Sequence, residues 1–347
     1  LKAVDTQAGQ DHIPKDVNRR PYERRPDDFD MDVEPTFFEV ITSTIVKNSL
    51  AERFMEAVRE LKTSNRAKHD LLLVSCYLYA CRIPISVDIA TAYSRIYGLS
   101  AVEVASLLEG MGSVLSAYEG ALADTGQAYY VPRSRQVSEV VLWHISPSDL
   151  RAMLDVFHAE VSPTKIGRYD VFRRGAYDAK LVGRAYPKWE EGLDFYNRAF
   201  LRDSSHSLKQ QGALYLASKH NYEMAFTWID EARGMTSRNN SAIRNSYAVI
   251  LFSANYGKAS SSEVKDSLDD SMSILSRCYD EDHRKVYHAK VFADQALKYT
   301  SKFSDSPRSR SYLESSEQWL AAELRTRIGD RRMTQLRRQV LAALKAL

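Results

Sequence analysis

The stretch NYEMAFTWIDEA, Asn221 to Ala232, decides how the second half of the chain is read. Ala225, Ile229 and Ala232 stand four and three residues apart and so share one helical face, with Tyr222 one turn earlier. A bulky residue between two small ones is a surface cut to let a neighbouring helix come close. The same small–large–small triad recurs at Gly192, Tyr196 and Ala199, at Ser271, Leu275 and Cys278, and at Ser315, Trp319 and Ala322, with offsets of 33, 46 and 44. Between the triads lie the apolar segments SLKQQGALYLASK, SAIRNSYAVILFSANY and HRKVYHAKVFADQALKYT. Each unit therefore reads helix, turn, helix, and the spacing predicts a stack of helix pairs.

The first offset lies beside the period of about 34 residues of a tetratricopeptide unit, and the others need longer helices or loops such as GKASSSEV and SDSPRSRS. The region resembles the tetratricopeptide family most closely over residues 208–237, where Ala213, Leu216, Tyr222, Ala225, Ile229 and Ala232 match its pattern. It departs from that pattern at Lys209, where a large apolar residue is usual, and at Ser237, where proline is common. Residues 148–347 are thus expected to form a tetratricopeptide-like α-solenoid with a terminal capping helix.

Upstream, residues 1–36 carry Pro14, Pro21, Pro26 and Pro35 among alternating charges, as an extended connector does. Residues 37–147 read as helices followed by a hairpin. TFFEVITSTIVKNSLAERFMEAVREL and RAKHDLLLVSCYLYACR have helical spacing, and SVDIATAYSRIY and SAVEVASLLEGM each open on a serine able to cap a helix. Two short β-prone runs follow, Val114 to Tyr118 and Ala128 to Val131, around a turn-rich piece holding Gly120, Asp124 and Gly126. Three helices and a two-stranded wing predict a winged-helix domain. The fold class expected is mainly α.

A winged helix followed by divergent tetratricopeptide-like repeats, with GQAYYVPRSRQVSEVVL after the wing and LYLASKHNYEMAFTWIDEA in the repeats, looks like the C-terminal half of a STAND-class P-loop NTPase of the bacterial antiviral sensor type. The resemblance covers about residues 60–330 and is diffuse. It implies an NTPase core before the winged helix, repeats that sense a ligand, and an effector switched on by oligomerisation. No G-x-x-x-x-G-K-[ST] loop occurs in the chain, so no cofactor is expected on this chain alone; ATP shared with an upstream NTPase segment is what the resemblance implies. It also places a phosphate-reaching residue just after the second wing strand, which makes Arg133 and Arg135 candidates, since a guanidinium can hold a phosphate through two bonds. Related chains often carry histidine where Ser134 stands.

Composition bounds the alternatives. The net charge of +3, from 48 basic and 45 acidic residues, offers no global field for nucleic acid or a membrane. Cys76, Cys81 and Cys278 fit neither a disulfide framework nor a zinc spacing, and a reducing cytoplasm is their expected setting. The longest apolar run, LLLVSCYLYA from Leu71, is about half a bilayer span and is read as a buried helix. The chain opens on Leu1 rather than Met and reads as a piece of something longer.

No catalytic or metal residue is assigned. His283 and His288 are five apart, off one helix face, and read as surface or interhelix residues. SPTK from Ser162 places a serine and a lysine three apart with no further acyl-transfer element. Glu190, Glu191, Asp280 and Asp282 read as solvated charge at helix ends. Arg325, Arg327, Arg331, Arg332, Arg337 and Arg338 are read as the outer cover of a terminal helix whose apolar stripe is Leu324, Ile328, Leu336, Val340, Leu341 and Leu344. The first helix of each pair offers Tyr215, Lys219, Arg244, Tyr247, Asn255, Tyr287 and Lys290, types that anchor protein contacts. Two classes result: the regulatory and sensor part of a signalling NTPase whose repeats bind a protein trigger or sister subunit, with an oligomer on activation, and a tetratricopeptide adaptor or transcription regulator with a DNA-binding winged helix. Glu103 and Glu109 in SAVEVASLLEGMG, with no positive charge beside them, favour the first.

Overall fold

The computed structural model describes residues 49–120, 126–133, 135–236, 240–282, 285–304, 306–326 and 330–347. It is mainly helical, and its described residues divide into two compact units, one up to Pro187 and one from Lys188 on. The connector expected over residues 1–36 lies outside the described residues, as do residues 37–48.

In the first unit, α1 (Ser49–Ser64) and α2 (Arg66–Ala80) lead into β1 (Ile85–Ser86), α3 (Val87–Tyr93), a 3-10 turn and α4 (Ala101–Glu109). Next come β2 (Leu115–Ala117), β3 (Tyr129–Pro132), α5 (Arg135–His144), α6 (Pro147–Glu160), α7 (Tyr169–Ala176) and α8 (Ala179–Ala185). The apolar run of α2 is its core: Leu71, Leu72, Leu73, Val74, Cys76, Tyr77 and Leu78 are all buried. Asn65 starts this helix by accepting from the Lys68 amide. The two serines expected as caps do cap. Ser86 accepts from the Ile89 amide, and Ser100 forms a capping box with Glu103.

The hairpin falls where the β-prone runs place it, with Ser116 opposite Val131 in antiparallel register. A third strand joins it: Ile85 pairs with Tyr130, giving the order β1-β3-β2. Two residues after a proline carry no alternation, so β1 has no sequence signature. The unit boundary falls at Pro187 rather than at 147/148. Residues α6 to α8 belong with α2, because the buried Tyr77 ring meets Phe157 and Phe172 edge-on and its hydroxyl donates to the Ala176 carbonyl at 3.0 Å.

A buried carboxylate ties this unit together. Asp70 lies 2.6 Å from His69 Nδ1 and 3.0 Å from Arg66 Nε, and accepts from the Tyr97 hydroxyl. Burial alone pushes this carboxyl up, but the His69, Tyr97 and Arg66 contacts outweigh it and hold it below the usual carboxylate range. The unfolded chain therefore takes up the proton first. The stabilisation is fully present above the unfolded value, near ~4, and fades as pH falls through the lower folded one. Stability is expected to decline in acid from about pH 4, with a shallower acid limb for Asp70→Asn; equal limbs in pH-dependent denaturation would count against this assignment.

The second unit is a run of antiparallel helix pairs: α9 (Trp189–Arg202), α10 (His206–Ser218), α11 (Tyr222–Gly234), α12 (Ser241–Tyr256), α13 (Ser262–Glu281), α14 (Lys285–Lys302), α15 (Pro307–Thr326) and α16 (Arg331–Ala346). Three triads sit at the crossings. Tyr196, Ala225, Ile229, Ala232, Ser271, Leu275 and Cys278 are fully buried, and Ala199 nearly so. The fourth does not: Ala322 is exposed, and the buried set is Ser309, Leu313 and Ser316, with the same four-and-three spacing six residues earlier. Trp319 is drawn aside to stack on Tyr279, with ring centroids 3.9 Å apart.

Lys209, the departure from the repeat pattern, still packs. Its ammonium lies 4.0 Å from the centre of the Trp228 ring and pairs with Glu231 at 2.6 Å, so stem and charge together fill the place of an apolar residue. In α16, Met333 and Val340 are buried, Arg337 pairs with Glu317 at 2.6 Å, and Leu341, expected in the apolar stripe, is exposed.

The turn from α10 to α11 holds a non-glycine left-handed residue. His220 has φ 62°, its amide donates to Ala217, and the Asn221 amide donates to Leu216, the double bond that closes a helix around a left-handed residue. A side chain is strained there. His220→Gly is expected to raise stability by about 0.5–1 kcal/mol; a lowered denaturant midpoint would show that the ring's 3.1 Å contact with the Tyr222 hydroxyl outweighs the backbone term.

Candidate functional site

The even-numbered helices α10, α12, α14 and α16 pack against one another in sequence, besides packing on their odd-numbered neighbours. Each therefore has one free face, and these faces form a row. On α14 it carries Tyr287, Val291, Asp294 and Lys298; on α12 it carries Arg244, Tyr247 and Leu251. The spacing of three and four is that of one helix face.

The residues expected to make protein contacts fall into three groups. Tyr215 is not on the surface. Its ring is fully buried against Tyr196, its hydroxyl donates to the Lys188 carbonyl at 2.7 Å, and burial pushes its pKa up to about 12. A large aromatic on a first helix is drawn inward when the facing position is as small as Gly192. Lys219, Arg244, Tyr247, Asn255 and Lys290 are half-buried and already engaged. Lys219 lies over the Tyr215 ring at 5.6 Å, and burial lowers its pKa. Arg244 pairs with Glu281, Lys290 holds Asp330 at 2.6 Å, and Asn255 accepts from the Lys258 ammonium at 2.8 Å. Tyr247 meets Phe226 edge-on and lies under the Arg233 guanidinium. Tyr287 alone of the set is open, 53% exposed.

These ion pairs decide the electrostatics of the row. Arg244, Lys290 and Lys298 each face a carboxylate, and Lys302 donates to the Tyr256 and Lys258 carbonyls. On α12 and α14, Arg244, Lys290 and Lys298 are thus matched by carboxylates, with tyrosine, aliphatic and amide groups between them.

Behind the row lies a buried polar chain that the sequence reading missed. Asn245 Nδ2 donates to His288 Nδ1 at 2.7 Å, His288 Nε2 donates to Asp282 at 3.0 Å, and the Ser241 hydroxyl donates to the same carboxylate oxygen at 2.8 Å. His288, Asp282 and Asn245 are all at least 95% buried. Asp282 is thus no solvated helix-end charge; it caps α13 and joins α12 to α14. Six residues across a loop is not a helix-face spacing, and nothing in the sequence announces the pair. His283 lies outside the described residues.

The other candidates resolve locally. Arg133 is exposed at the end of β3, its amide donating to the Val114 carbonyl. Ser134 and the Arg135 side chain lie outside the described residues. Ser162 caps the 3-10 turn that contains Lys165, and Glu190 and Glu191 occupy the first turn of α9, where the helix dipole favours them. Among the described residues, no group of three or more His, Cys, Asp or Glu side chains gathers as a metal site, and no helix is long and apolar enough to cross a membrane. Set against known proteins, the chain matches no family model, no curated protein and no solved structure.

Proposed function

We propose that this chain is a regulatory and sensor portion of a STAND-type signalling NTPase, concerned with antiviral defence, in which a tetratricopeptide-like solenoid binds a protein trigger or sister subunit. The observation that carries the binding role is the face of α12 and α14, where Arg244, Lys290 and Lys298 are paired with carboxylates and Tyr287 is exposed. A face of tyrosine and aliphatic groups whose cations are paired suits protein contact and offers less to a phosphate backbone than free cations would. The order α2, β1, α3, α4, β2, β3 supports the winged-helix reading of the first unit. Its α4 presents Val102, Glu103, Ser106 and Glu109 outward, a face that repels DNA and so speaks against the transcription-regulator alternative. On this reading ATP is held by an upstream segment, and purified residues 1–347 are expected to turn over no ATP above background.

The test is retention of a protein partner or of a second copy by the immobilised 347-residue chain at physiological salt. Tyr287→Ser is expected to reduce it at least five-fold, about 1 kcal/mol, while Gln318→Ala on the opposite helices leaves it unchanged. Duplex DNA is expected to bind weakly and with a steep salt dependence. Tight DNA binding that survives physiological salt, with no protein retained, would favour the regulator instead.

A further inference from the structure

The helix α16, RRMTQLRRQVLAALKA, contains no Asp or Glu. Met333 and Val340 bury one side of it against α14 and α15, and Arg337 is held by Glu317. On the other side Arg338, Ala342 and Lys345 stand exposed at intervals of four and three, along one helix face. The helix α13 presents the opposite charge. Its exposed Glu263, Asp266 and Asp270 lie at intervals of three and four, also along one face. Arg308 is taken by the buried Asp269, the neighbour of Asp270 in sequence. Among the described residues, none of Glu263, Asp266, Asp270, Arg338 and Lys345 is engaged in an ion pair.

The two faces fit each other in one register. Laid antiparallel, α13 and α16 place Glu263 opposite Lys345, Asp266 opposite Ala342 and Asp270 opposite Arg338, because intervals of three and four read forward on α13 match those read backward on α16. On each helix the outer two charges are seven residues apart, about 10 Å along the axis. Seven residues make nearly two full turns, so both charges stay on the contact side. Ala342, with a single methyl group, leaves room for Asp266 between the two cations. The antiparallel order also sets the first turn of α13 beside the last turn of α16, where opposite helix-dipole ends attract. Within one molecule both helices are fixed against α14, so the two faces meet only between molecules.

We propose that a second copy of this chain docks here, with the α16 face of one molecule on the α13 face of the next. Such a contact is heterologous and leaves one face of each kind free, so it extends into short chains or closes into a ring. Exposed ion pairs are individually weak and screened by salt, so the association belongs to low ionic strength and high protein concentration. With two cations along the face and no aromatic side chain between them, α16 offers little to a nucleic acid. The contact does not rest on the protein-binding face of α12 and α14.

Sedimentation velocity on the 347-residue chain at about 200 μM is expected to show a mean mass at least about 1.3-fold that of the monomer in ~25 mM salt, and the monomer alone in ~500 mM salt. Arg338→Glu with Lys345→Glu, and separately Glu263→Lys with Asp270→Lys, are each expected to be monomeric at both salts. Mixing these two double variants brings complementary faces back together and is expected to restore the salt-dependent mass. All four side chains are exposed. Arg338→Gln with Lys345→Gln is a milder variant should the reversals disturb folding, expected to lower the association constant about five-fold. A monomeric parent chain at both salts, association that either reversal leaves unchanged, or a mixture that stays monomeric would overturn the proposal. So would duplex DNA bound at physiological salt and released by Arg338→Glu with Lys345→Glu, which would assign the α16 face to nucleic acid. Tyr287→Ser is expected to leave the salt-dependent mass unchanged, so failure here and failure of the α12 and α14 face are distinguishable.

Discussion

Replacing His288 with leucine is expected to destabilise the chain by about 3–5 kcal/mol, the cost of leaving a buried charge without its partner. Leucine fills similar space but accepts nothing from Asn245 and donates nothing to Asp282, whose carboxylate loses the imidazole in a site 5% exposed. Ser241→Ala removes one bond and is expected to cost about 1 kcal/mol. Removing the carboxylate and the imidazole together, Asp282→Leu with His288→Leu, is expected to recover much of the loss, because no lone buried carboxylate remains. Denaturant titration reads all three. A single His288→Leu change within about 0.5 kcal/mol would mean that the chain of bonds does not hold α12, α13 and α14 together.

The second large effect comes from the helix crossings. A Cβ built on Gly192 stands 2.1 Å from the Tyr215 ring, which is buried and anchored through its hydroxyl, so the ring has nowhere to go. Gly192→Ala is expected to cost about 1–3 kcal/mol. Ala232→Leu, at a fully buried crossing position, is expected to cost the same. Gly234, in the same helix as Ala232, has nothing within 4 Å of an added Cβ, so Gly234→Ala is expected to be neutral or stabilising. Equal effects at Gly192 and Gly234 would remove the argument that small residues are there for close approach.

What the sequence made legible was local. The triad at Ala225, Ile229 and Ala232 announced a crossing because helical periodicity converts spacing directly into a face, and Ser86 and Ser100 announced helix starts because a cap acts within three residues. What it hid was decided between elements. In α15 two overlapping sets have the same spacing, and packing chose Ser309, Leu313 and Ser316 because Trp319 had a better place on Tyr279. Tyr215 was expected to offer its ring to a partner, yet a glycine on the preceding helix took it in. The Asp282 and His288 pair brings together residues from two helices and a third, and no local rule reports such a meeting. Of the seven residues expected on the binding surface, only Tyr287 is open, since exposure depends on which carboxylates the fold brings beside each cation.

The most direct measurement is site-specific photo-crosslinking on the whole chain in its native cells. A photoreactive phenylalanine analogue in place of Tyr287 reports what approaches the even-numbered row, and the same analogue in place of Gln318 reports the opposite helices. The expected result is a discrete protein adduct from position 287, either a partner or a second copy, that is stable to nuclease and much weaker from position 318. Adducts of equal yield from both positions, or an adduct at 287 that nuclease removes, would contradict a protein-binding row.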